Sequence, residues 1–164
     1  KEIIRLDPGL AFGTGTHPTT RMCLRWIAAH APRGQRVLDY GCGSGILAIG
    51  AAKFGADPIV AVDIDPAAVE STGLNADANG VNLHTGLPDV VEGDFDMVLA
   101  NILATPLKVL APLLCDRVRS GGLLVLAGIL ARQEEELREA YAPWVHLRVS
   151  DEEDGWILMT ADKA

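Results

Sequence analysis

Short apolar runs alternate with longer stretches of helical periodicity along this chain, and the first such stretch, 18–30, predicts an amphipathic helix. Pro18 suits its opening turn, where a missing N–H leaves no bond unmade. An apolar strand is expected over 36–40. Small apolar residues over 44–54 then predict a helix that packs closely on a sheet, with Gly55 as its stop. A second apolar run, from Ile59 to Val62, ends in Asp63. Asp65-Pro66 starts a third helix that reaches residue 78, where Asn79-Gly80 ends it. Between 81 and 93 the pattern weakens, leaving at most a short strand at 83–85. Beyond it come a buried strand at 94–100, one helix over 105–119 with Leu107, Leu110, Leu114 and Val118 on its apolar side, and a reversal at Gly121-Gly122. The strand at 123–126 is so apolar that both of its faces must be covered. A helix near 132–141, charged on one side, precedes alternating strands at 145–149 and 156–160, and the polar loop 150–155 between them suits an antiparallel hairpin. The predicted fold is α/β: a doubly wound, Rossmann-like sheet of seven strands, mostly parallel, with a C-terminal antiparallel hairpin.

Composition narrows the class. The chain has 164 residues, 49% of them hydrophobic and only 5% aromatic, which suits one domain over 1–164 whose Leu, Val, Ile and Ala fill a sheet covered on both faces. The longest apolar run, about 121–131, is too short to span a bilayer, so no membrane partner is expected. Cys23, Cys42 and Cys115 show no C-x-x-C pairing, which argues against a disulfide framework or a thiolate zinc site and for the cytoplasm. Formal net charge is −8, and no cluster of lysine or arginine interrupts it. Direct nucleic-acid binding is therefore not expected, because phosphate neutralisation supplies most of the affinity in such complexes. A basic partner fits better, although an acidic balance also serves solubility alone. The chain opens on Lys1 rather than methionine, as a fragment of a longer protein does.

The candidate chemistry lies where strands run out. Gly41, Gly43 and Gly45 stand at alternate positions between the first strand and its helix, where a tight turn demands backbone angles that a Cβ forbids and bare backbone lets a ligand lie against N–H groups at a helix start. A dinucleotide fingerprint, G-x-G-x-x-G, would need glycine at 46, and Ile46 stands there. Asp63, about 20 residues after the glycine loop, is placed to accept hydrogen bonds from both hydroxyls of a ribose. Asn101, directly after the strand at 94–100, can offer an oxygen acceptor in the same crevice; an asparagine that merely holds the turn is the plainer possibility. The threonine-rich approach to the first helix offers hydroxyls and free N–H groups to a carboxylate, or else simply caps the helix. His17 within it fits either a proton acceptor or a structural loop residue.

Four stretches together closely resemble the PrmA-type methyltransferases: LDPGLAFGTGTHPTT at 6–20, DYGCGSGILAI at 39–49, VDIDP at 62–66 and ANIL at 100–103. The resemblance covers essentially the whole chain. It implies a class I fold, S-adenosylmethionine as cofactor, and methylation of the α-amine and lysine ε-amines of a protein of the large ribosomal subunit. It further implies that Thr20, Gly41, Asp63 and Asn101 contact the cofactor and that Asn101 also faces the incoming amine; from their places in the chain, Gly43 is expected to line the same crevice and residues 1–20 to form a cofactor-covering loop. The adenine would lie near 81–93, where no single residue stands out. The family's amino-terminal substrate-recognition domain is expected to be absent from this chain. Asn101-Ile102-Leu103 differs from the N-P-P-aromatic pattern of enzymes acting on adenine or glutamine amides, which favours a protein amine. Two other readings are a nicotinamide-dependent oxidoreductase, disfavoured by Ile46, and a cofactor-binding module without activity.

Overall fold

The strands near the middle of the sheet are buried on both sides, and the two sides belong to two different cores. In the computed structural model, which describes residues 17–164, the elements run α1 (Pro18–His30), β1 (Val37–Tyr40), α2 (Ile46–Lys53), β2 (Ile59–Val62), α3 (Pro66–Ala78), β3 (His84–Gly86), β4 (Phe95–Asn101), α4 (Ala104–Val109), α5 (Ala111–Arg117), β5 (Val118–Leu130), α6 (Glu134–Tyr141), β6 (Arg148–Glu153) and β7 (Trp156–Asp162). Leu38, Val98, Ala100, Leu124 and Leu126 point to one face, where they pack with Leu107 of α4, Leu114 of α5 and Leu137 and Tyr141 of α6. Their neighbours Val37, Met97, Leu99, Val125 and Ala127 point to the other, against Met22 and Ile27 of α1 and Leu47, Ala48 and Ala51 of α2. This is the two-residue period of a strand buried on both faces.

One seven-stranded sheet results, in the order β3-β2-β1-β4-β5-β7-β6. β3, β2, β1, β4 and β5 pair in parallel, while β7 runs antiparallel to both β5 and β6. The order reverses between β1 and β4, so a crevice opens at their carboxyl ends. The expected α/β, doubly wound sheet with a terminal hairpin is the observed one. Among the described residues no helix is long and apolar enough to cross a membrane. The loop expected over 1–20 falls, for residues 1–16, outside the described residues.

Several boundaries differ from expectation, each for a local reason. The single helix over 105–119 is two helices, α4 and α5. Pro112, in the first turn of α5, has no N–H to give to the carbonyl of Lys108, and its ring would crowd that carbonyl. Val118 and Arg119 then belong to β5 rather than to a helix, because Val118 pairs with Phe95 before the register shifts. The reversal at Gly121-Gly122 lies inside this irregular strand, tied to the residue just after β7 by Gly121 N–H to the Lys163 carbonyl at 2.6 Å. The hairpin strand expected at 145–149 is Arg148–Glu153, so 150–153 are strand and only Asp154-Gly155 turn. Both turn residues have positive φ, 51° and 82°, as a two-residue hairpin turn requires. Smaller shifts of one or two residues affect the ends of β1, α2 and β3.

Candidate functional site

At the carboxyl end of β1 the chain turns sharply, with φ of 82°, 55° and 87° at Gly41, Gly43 and Gly45. The turn is fastened from three sides. The N–H groups of Gly41 and Cys42 donate to the Val62 carbonyl at 2.8 and 2.9 Å, and Gly43 N–H donates to Asp63 Oδ2 at 3.0 Å. Asp63 Oδ1 accepts from Asp65 N–H, also at 3.0 Å, which fixes the carboxylate at the tip of β2. From α3, the Thr72 hydroxyl lies 3.0 Å from the Gly43 carbonyl and 3.2 Å from Cys42 Sγ, and Asn75 Nδ2 donates to the Ser44 carbonyl at 2.9 Å. The N–H groups of Gly41, Cys42 and Gly43 are thus spent on β2 and Asp63. What the glycines supply is closeness of approach.

Asp39 is the acid that sequence reasoning passed over. Its side chain follows Val37 to the α1–α2 face, is 1% exposed, and accepts from Ala48 N–H at 3.2 Å. Burial first, and then the charge of Asp63, push its carboxyl up to about 7 against the opposing pull of the Ala48 N–H. Burial likewise raises the neighbouring Cys42 thiol to about 12, so this cysteine is a packed, protonated group.

Across the crevice, β4 ends in Asn101, whose Nδ2 makes a long contact of 3.5 Å with the buried hydroxyl of Thr20 on α1. His17 caps α1: its Nδ1 accepts from Thr19 N–H at 3.2 Å and lies 2.8 Å from Thr19 Oγ1. An amide can only donate, so the imidazole proton sits on Nε2. The ring meets Trp156 of β7 edge-on, with centroids 5.1 Å apart. Two arginines on the next turns of α1, Arg21 and Arg25, pair with Glu153 and Asp151 of β6.

These segments enclose one cavity of about 600 Å³. Thr20, Gly41, Gly43, Asp63 and Asn101, the five residues singled out from sequence, all line it. So do His17, Thr19, Asp39 and Trp156, while Ile102, Leu103 and Pro106 make an apolar wall beside Asn101. No residue of 81–93 lines this cavity; Val90 folds over Gly86 there, its Cγ1 standing 2.9 Å from where a Cβ would be. Thr72 and Asn75, which hold the loop, were detectable in principle as polar residues three apart on a helix face that should be buried.

Comparison with known proteins gives the cavity a context. The sequence matches the family described as ribosomal protein L11 methyltransferase (PrmA) over residues 1–164. A ribosomal protein L11 methyltransferase from Polaromonas sp. (strain JS666 / ATCC BAA-500) is 70% identical over 164 residues, which cover 98% of this chain and 55% of that protein. The chain spans about half the length of the curated relatives it matches. A crystal structure of ribosomal protein L11 methylase from Lactobacillus delbrueckii subsp. bulgaricus superposes with a TM-score of 0.91 at 35% identity, covering 99% of this chain and 86% of that one. The 16S rRNA N2 G1207 methyltransferase of T. Thermophilus, solved in complex with AdoMet and guanosine, shares the fold at a TM-score of 0.77 and 22% identity, over 94% of this chain and 45% of that one. The glycine turn, the acid after β2 and the asparagine after β4 therefore stand in a sequence whose whole length fits a single family, and the chain belongs to the ribosomal protein L11 methyltransferase (PrmA) family.

Proposed function

We propose that this chain binds S-adenosylmethionine in the cavity between β1 and β4 and serves the methylation of amines, the lysine ε-amines and the α-amine of ribosomal protein L11. The observation that carries the reading is the meeting of Thr20, Gly41, Gly43, Asp63 and Asn101, from four separate segments, on the wall of one cavity. Its volume suits a ligand of nucleoside and amino-acid size. When bound, the cofactor supplies a methyl group on a positively charged sulfur, passed in line to a neutral amine nitrogen.

The chain's own residues divide the remaining work. Each oxygen of Asp63 accepts one backbone N–H and keeps a lone pair for a ribose hydroxyl. Gly41 and Gly43 let the ligand lie against the backbone, and Thr20 offers a hydroxyl to its carboxylate end. Asn101 presents an oxygen acceptor that orients the amine lone pair. An amine entering past Ile102, Leu103 and Pro106 sheds hydration, which lowers its pKa and sends its proton to solvent. No aromatic face follows Asn101 for a base to stack on, which supports a protein rather than a nucleic acid as substrate. Work on a ribosomal protein, and cysteines without C-x-x-C pairing, support a cytoplasmic setting. The nicotinamide reading draws no support from the family match.

Calorimetric titration with S-adenosylhomocysteine tests the cofactor. Saturable binding is expected, weakened by Asp63→Ala by on the order of 1.5–3 kcal/mol, or roughly tenfold to a hundredfold. Unchanged affinity in the variant would remove Asp63 from the site, and no saturable binding by the parent chain would remove the cofactor.

A further inference from the structure

The geometry points to Gly128, on a bulge of β5, and Gly41, after β1, as a two-sided clamp on Ile102 that positions Asn101; this rests on the reading of Asn101 as the residue facing the incoming amine. Asn101 is the last residue of β4, paired with Ala127 of β5, and the next N–H, that of Ile102, still donates to the Ala127 carbonyl at 3.2 Å. There the sheet stops holding the chain. Glycines take over on both sides of Ile102. A Cβ on Gly128 would lie 2.0 Å from the Ile102 carbonyl oxygen and 2.6 Å from its carbon, so the Ile102 peptide occupies the space a side chain would need. A Cβ on Gly41 would lie 2.7 Å from Ile102 Cγ2, so the side chain is gripped from the glycine loop as well.

The register of β5 supplies an independent sign. Leu126 pairs with Met159 and Ile129 with Ile157, which leaves Ala127 and Gly128 together opposite Leu158. That extra residue is a β-bulge, with Gly128 at φ 90°. Bulges bend a strand and re-aim side chains beside functional sites, and this one sits where β4 leaves the sheet. Gly128 itself lines the cavity. Both glycines are positioning residues, acting through Ile102.

The two contacts differ in kind, which makes the clamp testable. A methyl at 128 meets backbone, so shortening Ile102 cannot make room for it. A methyl at 41 meets a side-chain methyl that Ile102→Ala removes. In the full chain, Gly128→Ala is expected to lower kcat for a lysine-bearing substrate by roughly a hundredfold, as misplacement by about an ångström does. Kd for S-adenosylhomocysteine and KM should change far less than kcat, since Asp63 and the glycine turn keep their hydrogen bonds to each other. The side-chain amide resonance of Asn101 is expected to move in Gly128→Ala and in Gly41→Ala. Adding Ile102→Ala should return it toward the parent position in the Gly41 background and leave it displaced in the Gly128 background. An unmoved Asn101 resonance in Gly128→Ala overturns the clamp, and so does additivity of Gly41→Ala with Ile102→Ala. Should Gly128→Ala not fold, the Gly41 and Ile102 pair carries the test alone. Absence of methyl transfer by the parent protein would overturn the reading of Asn101 while the resonances still decide the clamp.

Discussion

Asp39 is held by the fold in a place that disfavours its charge. Its carboxyl titrates near 7, above the ordinary aspartate value, because burial penalises the charged form and Asp63 repels it. Below about pH 4 both folded and unfolded chains carry the proton. As pH rises from there to about 7, the unfolded chain releases it while the folded chain retains it, so this group's contribution to stability falls through that window and is level above it. Asp39→Asn keeps an acceptor for the Ala48 N–H and removes the titration. We expect the variant to match the parent's melting temperature near pH 4 and exceed it by several degrees at pH 8, at about 2–4 °C per kcal/mol for a chain of this size. A constant difference between the two across pH would mean that Asp39 does not titrate in this window. Residues of this kind were hard to see in the sequence. Gly41, Gly43 and Asp63 announce themselves by spacing, and Asn101 by following an apolar strand. Asp39 stands inside the same motif, but its burial depends on α2 covering it, which spacing does not record. Gly128 was hidden differently: it lies in an apolar run just beyond the strand expected at 123–126, and the bulge that needs it exists only through the register with β7.

At the level of elements, the pattern of apolar positions located all seven strands and misjudged their ends. The strand expected at 123–126 runs over Val118–Leu130, and in the terminal hairpin acidic residues on an edge strand look like a loop because polarity on an exposed edge carries no cost. The informative residues were Asp154 and Gly155, a short turn whose two positive φ values match the twist of the strands. Gly155 allows a clean measurement, because a Cβ there would meet nothing within 4 Å and only the backbone angle opposes it. Gly155→Ala is expected to cost about 1–2 kcal/mol in denaturant unfolding, and Gly155→Asn distinctly less, since asparagine tolerates the left-handed region. Equal costs for the two would show that the turn is not set by φ. The division between α4 and α5 has a comparable cause in Pro112, yet apolar periodicity runs on past it, so the pattern shows one helix where the backbone makes two.

For the molecule as a whole, an acidic surface and a cavity at the switch point are two separable assets. Described residues of this chain line the cavity, whereas the curated relatives carry about as much sequence again. We expect this chain alone to bind S-adenosylhomocysteine yet to methylate intact ribosomal protein L11 far more slowly than a version extended to the relatives' full length. Equal rates would place substrate recognition within these 164 residues. If the proposed lysine-bearing substrate is the partner, salt should slow methyl transfer, because a net charge of −8 attracts such a protein over distances that ions screen. The contact of His17 with Trp156, reinforced by the pairing of Arg21 and Arg25 with β6, joins the first described helix to the last strand. During synthesis those partners are separated by most of the chain, so a nascent polypeptide that has made every earlier element still lacks Trp156 on the lining of its cavity. The cavity as described is complete only once β7 has been made.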